Sequence, residues 1–371
     1  RTYGDFTEVY CLRTKEVLSL ESVAADIWRH IASVPETDFD AIVDFIVSEY
    51  AAEAEDVYDD VYEFVTQLYT DGILLIDGEY YSRNACEADC SPSGSPDVES
   101  QIVSLLEERN QLFATTFEMT YGCNEKCVHC YAHYPGSDDG CVPLRFSDYK
   151  AAIDELKEMG CLHLSFTGGD PFVHPDFLEV FEYARRCGFV CDIYTNGLFL
   201  AQHDDALSKI IGLCPRAFYI SLYGSNAKTH DSVTKVEGSF DKTVNIVKTL
   251  RANDIPVVLN IMVLTINQED LQDTISLATA LGAEYRVSMS LIYRNDGGGE
   301  PMDYFIADET VMKSVIATAK DSFCSVDVLV GDVNESDHMC NAGLTSLSVD
   351  PAGGIFPCIS LKIPLGSLSD G

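Results

Sequence analysis

From residue 113 to about residue 293 the sequence repeats one alternation six times, a short strand-like run followed by an amphipathic helical stretch. "FATTFEMTYG" leads to a helix from Ser147 with Tyr149, Ile153 and Leu156 on one face, and "CLHLSFTGGD" leads to "HPDFLEVFEYARRCG". The pattern continues through "FVCDIYTNG", "AFYISLYG" and "VVLNIMVLTIN", each with its own helical run, and closes on "YRVSMSLIY". A helix between successive strands supplies the crossover that parallel pairing needs. The fold class predicted is therefore α/β, a partial (β/α)6 TIM-like barrel over residues 113–325 with helices outside. The polar stretches "YGCNEKC", "TGGD", "TNG" and "SLYG" each fall just after a strand. In such barrels that face carries the chemistry.

Two regions flank the barrel. Residues 1–82 hold the strand-like runs "FTEVYCL" and "EVLSL", then three apolar stripes at helical spacing. The stripes are Val23, Ile27, Trp28 and Ile31; then Ile42, Phe45, Ile46 and Tyr50; then Val57, Val61, Phe64, Val65 and Leu68. Thr37 is the expected N-cap of the second helix, with Asp40 as a short capping-box acid. "TDG" ends the third helix, and "ILLIDGEYY" reads as strand, turn and strand, which completes a small winged-helix pattern. Residues 83–112, rich in Ser, Pro and Gly, form a linker in which Cys86 and Cys90 are incidental. Beyond 325 the alternation fades, and within 326–371 "CNAGLTSLSVDPAGGIFPC" reads as a β-hairpin turning at "DPAGG".

The formal charge of −36 disfavours nucleic acid and anionic membranes as partners and favours a cationic partner such as a basic peptide. A solubility or salt adaptation explains the charge equally well. No apolar run of roughly 18 residues occurs and no basic-then-apolar leader opens the chain, so neither membrane span nor signal peptide is expected. The chain holds 14 cysteines in 371 residues, scattered through well-packed sequence rather than a small secreted scaffold. That usage points to metal or redox chemistry in a reducing cytoplasm.

Cys123, Cys127 and Cys130 crowd into "CNEKCVHC", spaced C-x3-C-x2-C. A disulfide would leave one of the three unpaired. Structural zinc asks for four closed ligands, commonly two C-x2-C pairs, and only one such pair is present. Three thiolates suit three irons of a cubane cluster with the fourth iron open.

These residues resemble the radical S-adenosylmethionine (SAM) family, with His129 in the aromatic position before the last cysteine. The resemblance implies a [4Fe–4S] cluster held by Cys123, Cys127 and Cys130, whose open iron is chelated by the amine and carboxylate of SAM. It implies reductive SAM cleavage to a 5′-deoxyadenosyl radical that takes hydrogen from an unactivated carbon. "TGGDP" is similar to the family's Gly-Gly-Glu-Pro stretch, which puts Gly168, Gly169 and Asp170 (in place of Glu) at the SAM amine. "YTNG" places Asn196 and "SLYG" places Ser221 where the family contacts SAM ribose and carboxylate. "HDSVTKVEGSF" resembles a stretch whose Arg is here Thr234, so Lys235 becomes the candidate for the carboxylate. His129 is expected to pack near adenine or the cluster.

Cys340, Gly353 and Cys358 give C-x12-G-x4-C, similar to the opening of SPASM or twitch domains. That resemblance implies at least one auxiliary [4Fe–4S] cluster, with Cys324 as a further candidate ligand, although the later cysteines of a full SPASM domain are absent. The first 82 residues resemble the recognition element that binds leader peptides of ribosomally made, modified peptides. Together these imply a peptide maturase with a precursor peptide as partner and flavodoxin or ferredoxin as electron donor. The expected reaction is thioether crosslinking of a substrate cysteine sulfur to carbon. Carbon–carbon or carbon–oxygen crosslinking and epimerisation are the alternatives within the class, and an iron–sulfur electron-transfer or sensing scaffold is the alternative outside it. Cys141 is a candidate thiol near the reaction. Cys161, Cys187, Cys191 and Cys214 are expected as small core residues.

Overall fold

The computed structural model describes residues 2–3, 6–11, 16–33, 37–70, 111–132, 144–319, 322, 340 and 342–370. The chain divides into two compact units, residues 1–105 and 106–371. In the first unit β1 (Thr2–Tyr3), β2 (Phe6–Cys11) and β3 (Glu16–Glu21) form an antiparallel sheet in chain order. Helices α1 (Ser22–Ser33), α2 (Phe39–Tyr50) and α3 (Ala54–Thr70) follow. Their stripes meet as predicted: Ile27, Ile42, Val43, Ile46 and Val61 are buried together, and Ile31, Phe45, Val57, Phe64 and Val65 pack around them. The cap of α2 falls one residue later than expected. Asp38, not Thr37, accepts the Ala41 N–H at 2.8 Å, because Asp38 is the residue before the helix whose backbone is still extended. The strand pair expected over 73–81 and the linker cysteines lie outside the described residues.

In the second unit six strands run parallel in chain order: β4 (Ala114–Thr120), β5 (His163–Gly168), β6 (Val190–Thr195), β7 (Ala217–Ser221), β8 (Val257–Met262) and β9 (Glu284–Ser288). Between them lie α4 (Phe146–Glu158), α5 (Phe177–Arg186), α6 (Asp204–Gly212), α7 (Ala227–Thr234), α8 (Ser239–Ala252) and α9 (Leu271–Ala280), with α10 (Glu309–Ala319) after β9. Alternate strand residues Phe117, Met119, Leu164, Phe166, Cys191, Ile193, Phe218, Ile220, Val257 and Leu259 form one core with Tyr149, Ile153, Phe177, Phe181, Ile246 and Leu250 of the helices. Each such aromatic or aliphatic group contributes roughly 1.5–3 kcal/mol when fully buried, so this outer seam fixes the register. The intervening residues then point inward, where Thr167, Tyr194, Tyr219, Ser221, Asn260, Arg286 and Ser288 line a cavity. Cys161 and Cys191 are buried and Cys187 half-buried as expected, but Cys214 is exposed. It follows α6 at φ 49°, in a turn rather than a packed element.

Two features were not expected. Helix α7 occupies the stretch before "KVEGSF", and the C-terminal hairpin joins the barrel sheet. Its first strand β10 (Ser346–Val349) pairs parallel with β4, Ser346 opposite Ala114, and β11 (Gly354–Phe356) and β12 (Gly366–Ser367) add antiparallel beyond it. The hairpin turn is the predicted one: Asp350 accepts from Ala352 N and Gly354 N at 2.9 and 2.8 Å, and Gly353 takes φ +85°. Among the described residues no helix is long and apolar enough to cross a membrane.

Candidate active site

The loop after β4 carries Cys123, Cys127 and Cys130 to the C-terminal ends of the parallel strands. There all three line a cavity of about 410 Å³. Backbone bonds hold the loop in place. Lys126 N and Val128 N donate to the carbonyls of Thr234 and Val233 at 3.0 Å each, which tethers it to the end of α7. On the β5 side Gly169 N donates to Thr120 O at 2.6 Å and Asp170 N to Gly122 O at 3.1 Å.

This closeness explains both glycines. A Cβ on Gly168, at φ +121°, would stand 2.2 Å from Thr120 O, and one on Gly169 would stand 2.2 Å from Gly122 O. The backbones leading into the cysteine loop leave no room for a side chain. Both glycines also line the cavity.

Asp170 is completely buried and does not line the cavity. Its carboxylate accepts from Thr195 Oγ1 at 2.6 Å, Asn196 N at 3.0 Å and Phe172 N at 3.0 Å, which ties β5 to β6. Burial nevertheless moves its pKa upward, against the three donors. Asn196, so positioned, donates its amide to Asn124 Oδ1 at 2.6 Å and Cys123 Sγ at 3.5 Å, and accepts from Leu198 N at 2.9 Å. It lines the cavity, as do Ser221 and His129.

Lys235 does not line the cavity. It is exposed, in a left-handed turn at φ 58° that ends α7. Thr234, in the place of the family's Arg, is fully buried and bonds Ser239 Oγ at 2.8 Å. Asp231 accepts from Gly238 N, Ser239 Oγ and Phe240 N at 2.7–3.0 Å. This stretch therefore builds the α7–α8 turn and puts no cation into the cavity. Cys340 is exposed and Cys358 half-buried, and neither lines the cavity, though Ile359 and Ser360 do. Cys141 and Cys324 lie outside the described residues.

Sequence reading missed several groups. Glu125, between the first two cysteines, is 3% exposed. One of its oxygens takes Cys127 Sγ at 3.3 Å, and the other has no partner among the described residues. Burial pushes its pKa up to about 8. Glu118 on β4 is buried with Tyr131 Oη at 2.9 Å, and Lys362 of the C-terminal segment pairs with it. Tyr194 and Tyr219 stack with ring centres 4.4 Å apart, and the Arg286 guanidinium lies 5.1 Å from the Tyr219 ring. One signal was available: β9 places a cation at an inward position of a parallel strand, where apolar residues are the rule.

The three thiols are suited to a cationic iron–sulfur cluster. Burial, with Asp170 nearby, raises the Cys123 thiol to about 12, and burial also raises Cys127 well above the ordinary thiol range. Only a strongly positive ligand offsets that cost of a thiolate. Among the described residues no three His, Cys, Asp or Glu side chains converge on a single metal ion. A cubane asks for something different, since each thiolate takes its own iron. His129 matches the setting: its buried Nδ1 has no partner among the described residues, burial lowers its pKa to about 4, and its ring packs edge-on to Tyr223 at 4.9 Å.

A parallel α/β sheet with three cysteines at its mouth defines a class, and comparison with known proteins agrees: residues 117–278 match the radical SAM superfamily. This part of the chain is a radical SAM domain, of the kind that uses a [4Fe–4S] cluster together with SAM. It follows a domain matching coenzyme PQQ synthesis protein D (PqqD) over residues 9–74. The chain is 33% identical over 170 residues to the AdoMet-dependent heme synthase of Methanosarcina barkeri, covering 45% of this chain and 47% of that one. It is 28% identical over 255 residues to mycofactocin maturase MftC of Mycobacterium tuberculosis, covering 66% and 63%. It thus spans about half to two-thirds of the length of these curated relatives. The structure of Streptococcus suis SuiB bound to precursor peptide SuiA shares the fold at TM-score 0.55 and 14% identity, over 96% of this chain and 82% of that one.

Proposed function

We propose that the chain is a radical SAM maturase of a ribosomally synthesised precursor peptide, and that it joins a substrate cysteine sulfur to a carbon. The observation that carries this reading is the set of Cys123, Cys127 and Cys130 on a cavity at the mouth of the barrel, in a chain that also holds a PqqD-type domain. In this reading residues 1–82 take the leader, 113–325 perform the chemistry and 326–371 hold an auxiliary cluster through Cys340 and Cys358 with Cys324. The leader adds as a strand at the edge of the first unit's sheet, which gives main-chain hydrogen bonds for affinity.

Cys123, Cys127 and Cys130 hold the cluster, and Gly168, Gly169, Asn196, Ser221 and His129 surround SAM. Asp170 acts by fixing Asn196 rather than by touching SAM. Lys235 is not carried forward, since it is exposed away from the cavity. When bound, cluster and SAM supply a 5′-deoxyadenosyl radical that removes a hydrogen atom from the substrate carbon. The substrate thiol loses a proton as the sulfur–carbon bond forms, and the product gives up one electron, which an auxiliary cluster held by Cys340 and Cys358 would accept. The crosslinked peptide is lighter by two hydrogens, and flavodoxin or ferredoxin supplies the electron that cleaves SAM. Such a maturase works in the reducing cytoplasm.

The test is intact mass and thiol labelling of the small peptide encoded beside this gene after anaerobic co-expression. A loss of two hydrogens per crosslink with the matching cysteine unlabelled supports a thioether. The same loss with every thiol reactive assigns carbon–carbon or carbon–oxygen linkage, and no 5′-deoxyadenosine at all sinks the enzyme reading in favour of a scaffold.

A further inference from the structure

Two arginines of the barrel have opposite circumstances, Arg216 half-buried and Arg286 exposed at the open cavity. Arg216, just before β7, is spent: its Nε and Nη2 both bond the buried carboxylate of Asp192, which His163 shares from β5. Arg286, on β9, lines the cavity and has no carboxylate within ion-pair distance among the described residues.

Its setting is that of a receptor. The register places Ser221, Asn260 and Arg286 in one row across β7, β8 and β9, with all three on the cavity. The guanidinium rests over Tyr219, itself stacked on Tyr194, so its plane is held while its N–H groups stay available. A planar fork held in this way suits bidentate binding of a carboxylate. Among the described residues that line the cavity it is the only cation.

We propose that Arg286 binds a carboxylate of the substrate, so that the segment entering the cavity presents either an acidic side chain or a peptide C-terminus. This rests on the maturase reading only for the carboxylate's belonging to a peptide. The test uses SAM-loaded, cluster-reconstituted protein and calorimetric titration with blocked probes. N-acetyl-glutamate amide is set against N-acetyl-glutamine amide for a side chain, and N-acetyl-alanine against its amide for a C-terminus. In one pair the acid binds at least roughly tenfold more tightly than its amide, as a charge-assisted bond requires. Arg286→Gln loses that preference and Arg286→Lys keeps part of it. The wild-type acid–amide comparison stands alone should Arg286→Gln fail to fold. Equal binding within both pairs overturns the proposal. So does a weakened SAM affinity in Arg286→Gln with the probe preference intact, which would give the guanidinium to the methionyl carboxylate instead. An acid preference with no change in precursor mass would leave the carboxylate site standing and sink the maturase reading.

Discussion

Asp192 and Glu125 are buried acids of one barrel, and their surroundings treat them in opposite ways. Asp192 stands near the N-terminal ends of the strands, where Arg216 and His163 share its carboxylate. Burial works against its charge, but the two partners outweigh burial and hold the carboxyl below its ordinary range. Glu125 stands at the other end, in the loop after β4, with no ion pair among the described residues, and burial takes it up to about 8. The buried acid at the floor of the barrel is paired, whereas Glu125 at the mouth keeps one oxygen without a partner among the described residues. Stability is the business of the first and chemistry that of the second.

Substitutions sharpen the contrast, beginning with the largest effect. Cys123→Ser should abolish both the visible iron–sulfur absorbance and 5′-deoxyadenosine formation while the apo protein still unfolds cooperatively. Full activity in that variant would remove the mouth from the chemistry. Asp192→Asn removes the buried carboxylate charge that Arg216 and His163 share and should cost about 3 kcal/mol in urea unfolding, with little change in SAM binding. A cost under about 1 kcal/mol would mean that the floor is not what stabilises the barrel.

The pH dependences should run in opposite directions. The Asp192 contribution is present above the unfolded carboxylate pKa of about 3.9 and is lost as pH falls through the lower folded value. Glu125, raised in the fold, does the reverse: its contribution is complete below its unfolded value and is lost as pH rises toward about 8. In cluster-free protein Glu125→Gln should therefore gain on the order of 3 kcal/mol at pH 7 and flatten the alkaline limb of stability against pH. An unchanged limb would show that the carboxylate escapes to solvent. Gly169→Ala, forced against Gly122 O, should cost roughly 1–3 kcal/mol and reduce cluster loading. Asp38→Ala, a cap loss in the first unit, sets the lower end of the scale at about 1 kcal/mol of thermal or urea stability.

Much of this was written in the sequence wherever a pattern was local. The helix-facing row of Phe117, Phe166, Ile193 and Phe218 alternates strictly, so both the strands and their inward residues were legible. The cysteine spacing and the two glycines were legible for the same reason. Asp170 and Lys235 were misplaced because a motif gives position along the chain and not side-chain direction. Asp170 turns toward Thr195, and Lys235 sits in a left-handed turn that faces solvent. The Glu118 pair with Lys362 and the pairing of β10 with β4 join opposite ends of the barrel unit, which no local pattern reports. Arg286 was visible as a charge in a strand, but its lack of an acid partner emerges only when every neighbour is in place.

The seat of β10 beside β4 has a consequence for the order of events during synthesis. On a ribosome β4 and its cysteine loop emerge early, and β5 covers one edge soon afterward. The other edge stays open until Ser346–Val349 have been made, and Lys362 reaches Glu118 later still. Through that interval the strand that leads into the cysteine loop exposes an unpaired ladder of donors and acceptors to any neighbouring chain. Completion of the sheet around the cysteine loop is thereby tied to residues made more than 200 positions after it, and a nascent chain stalled before residue 346 would be sticky before it could be functional.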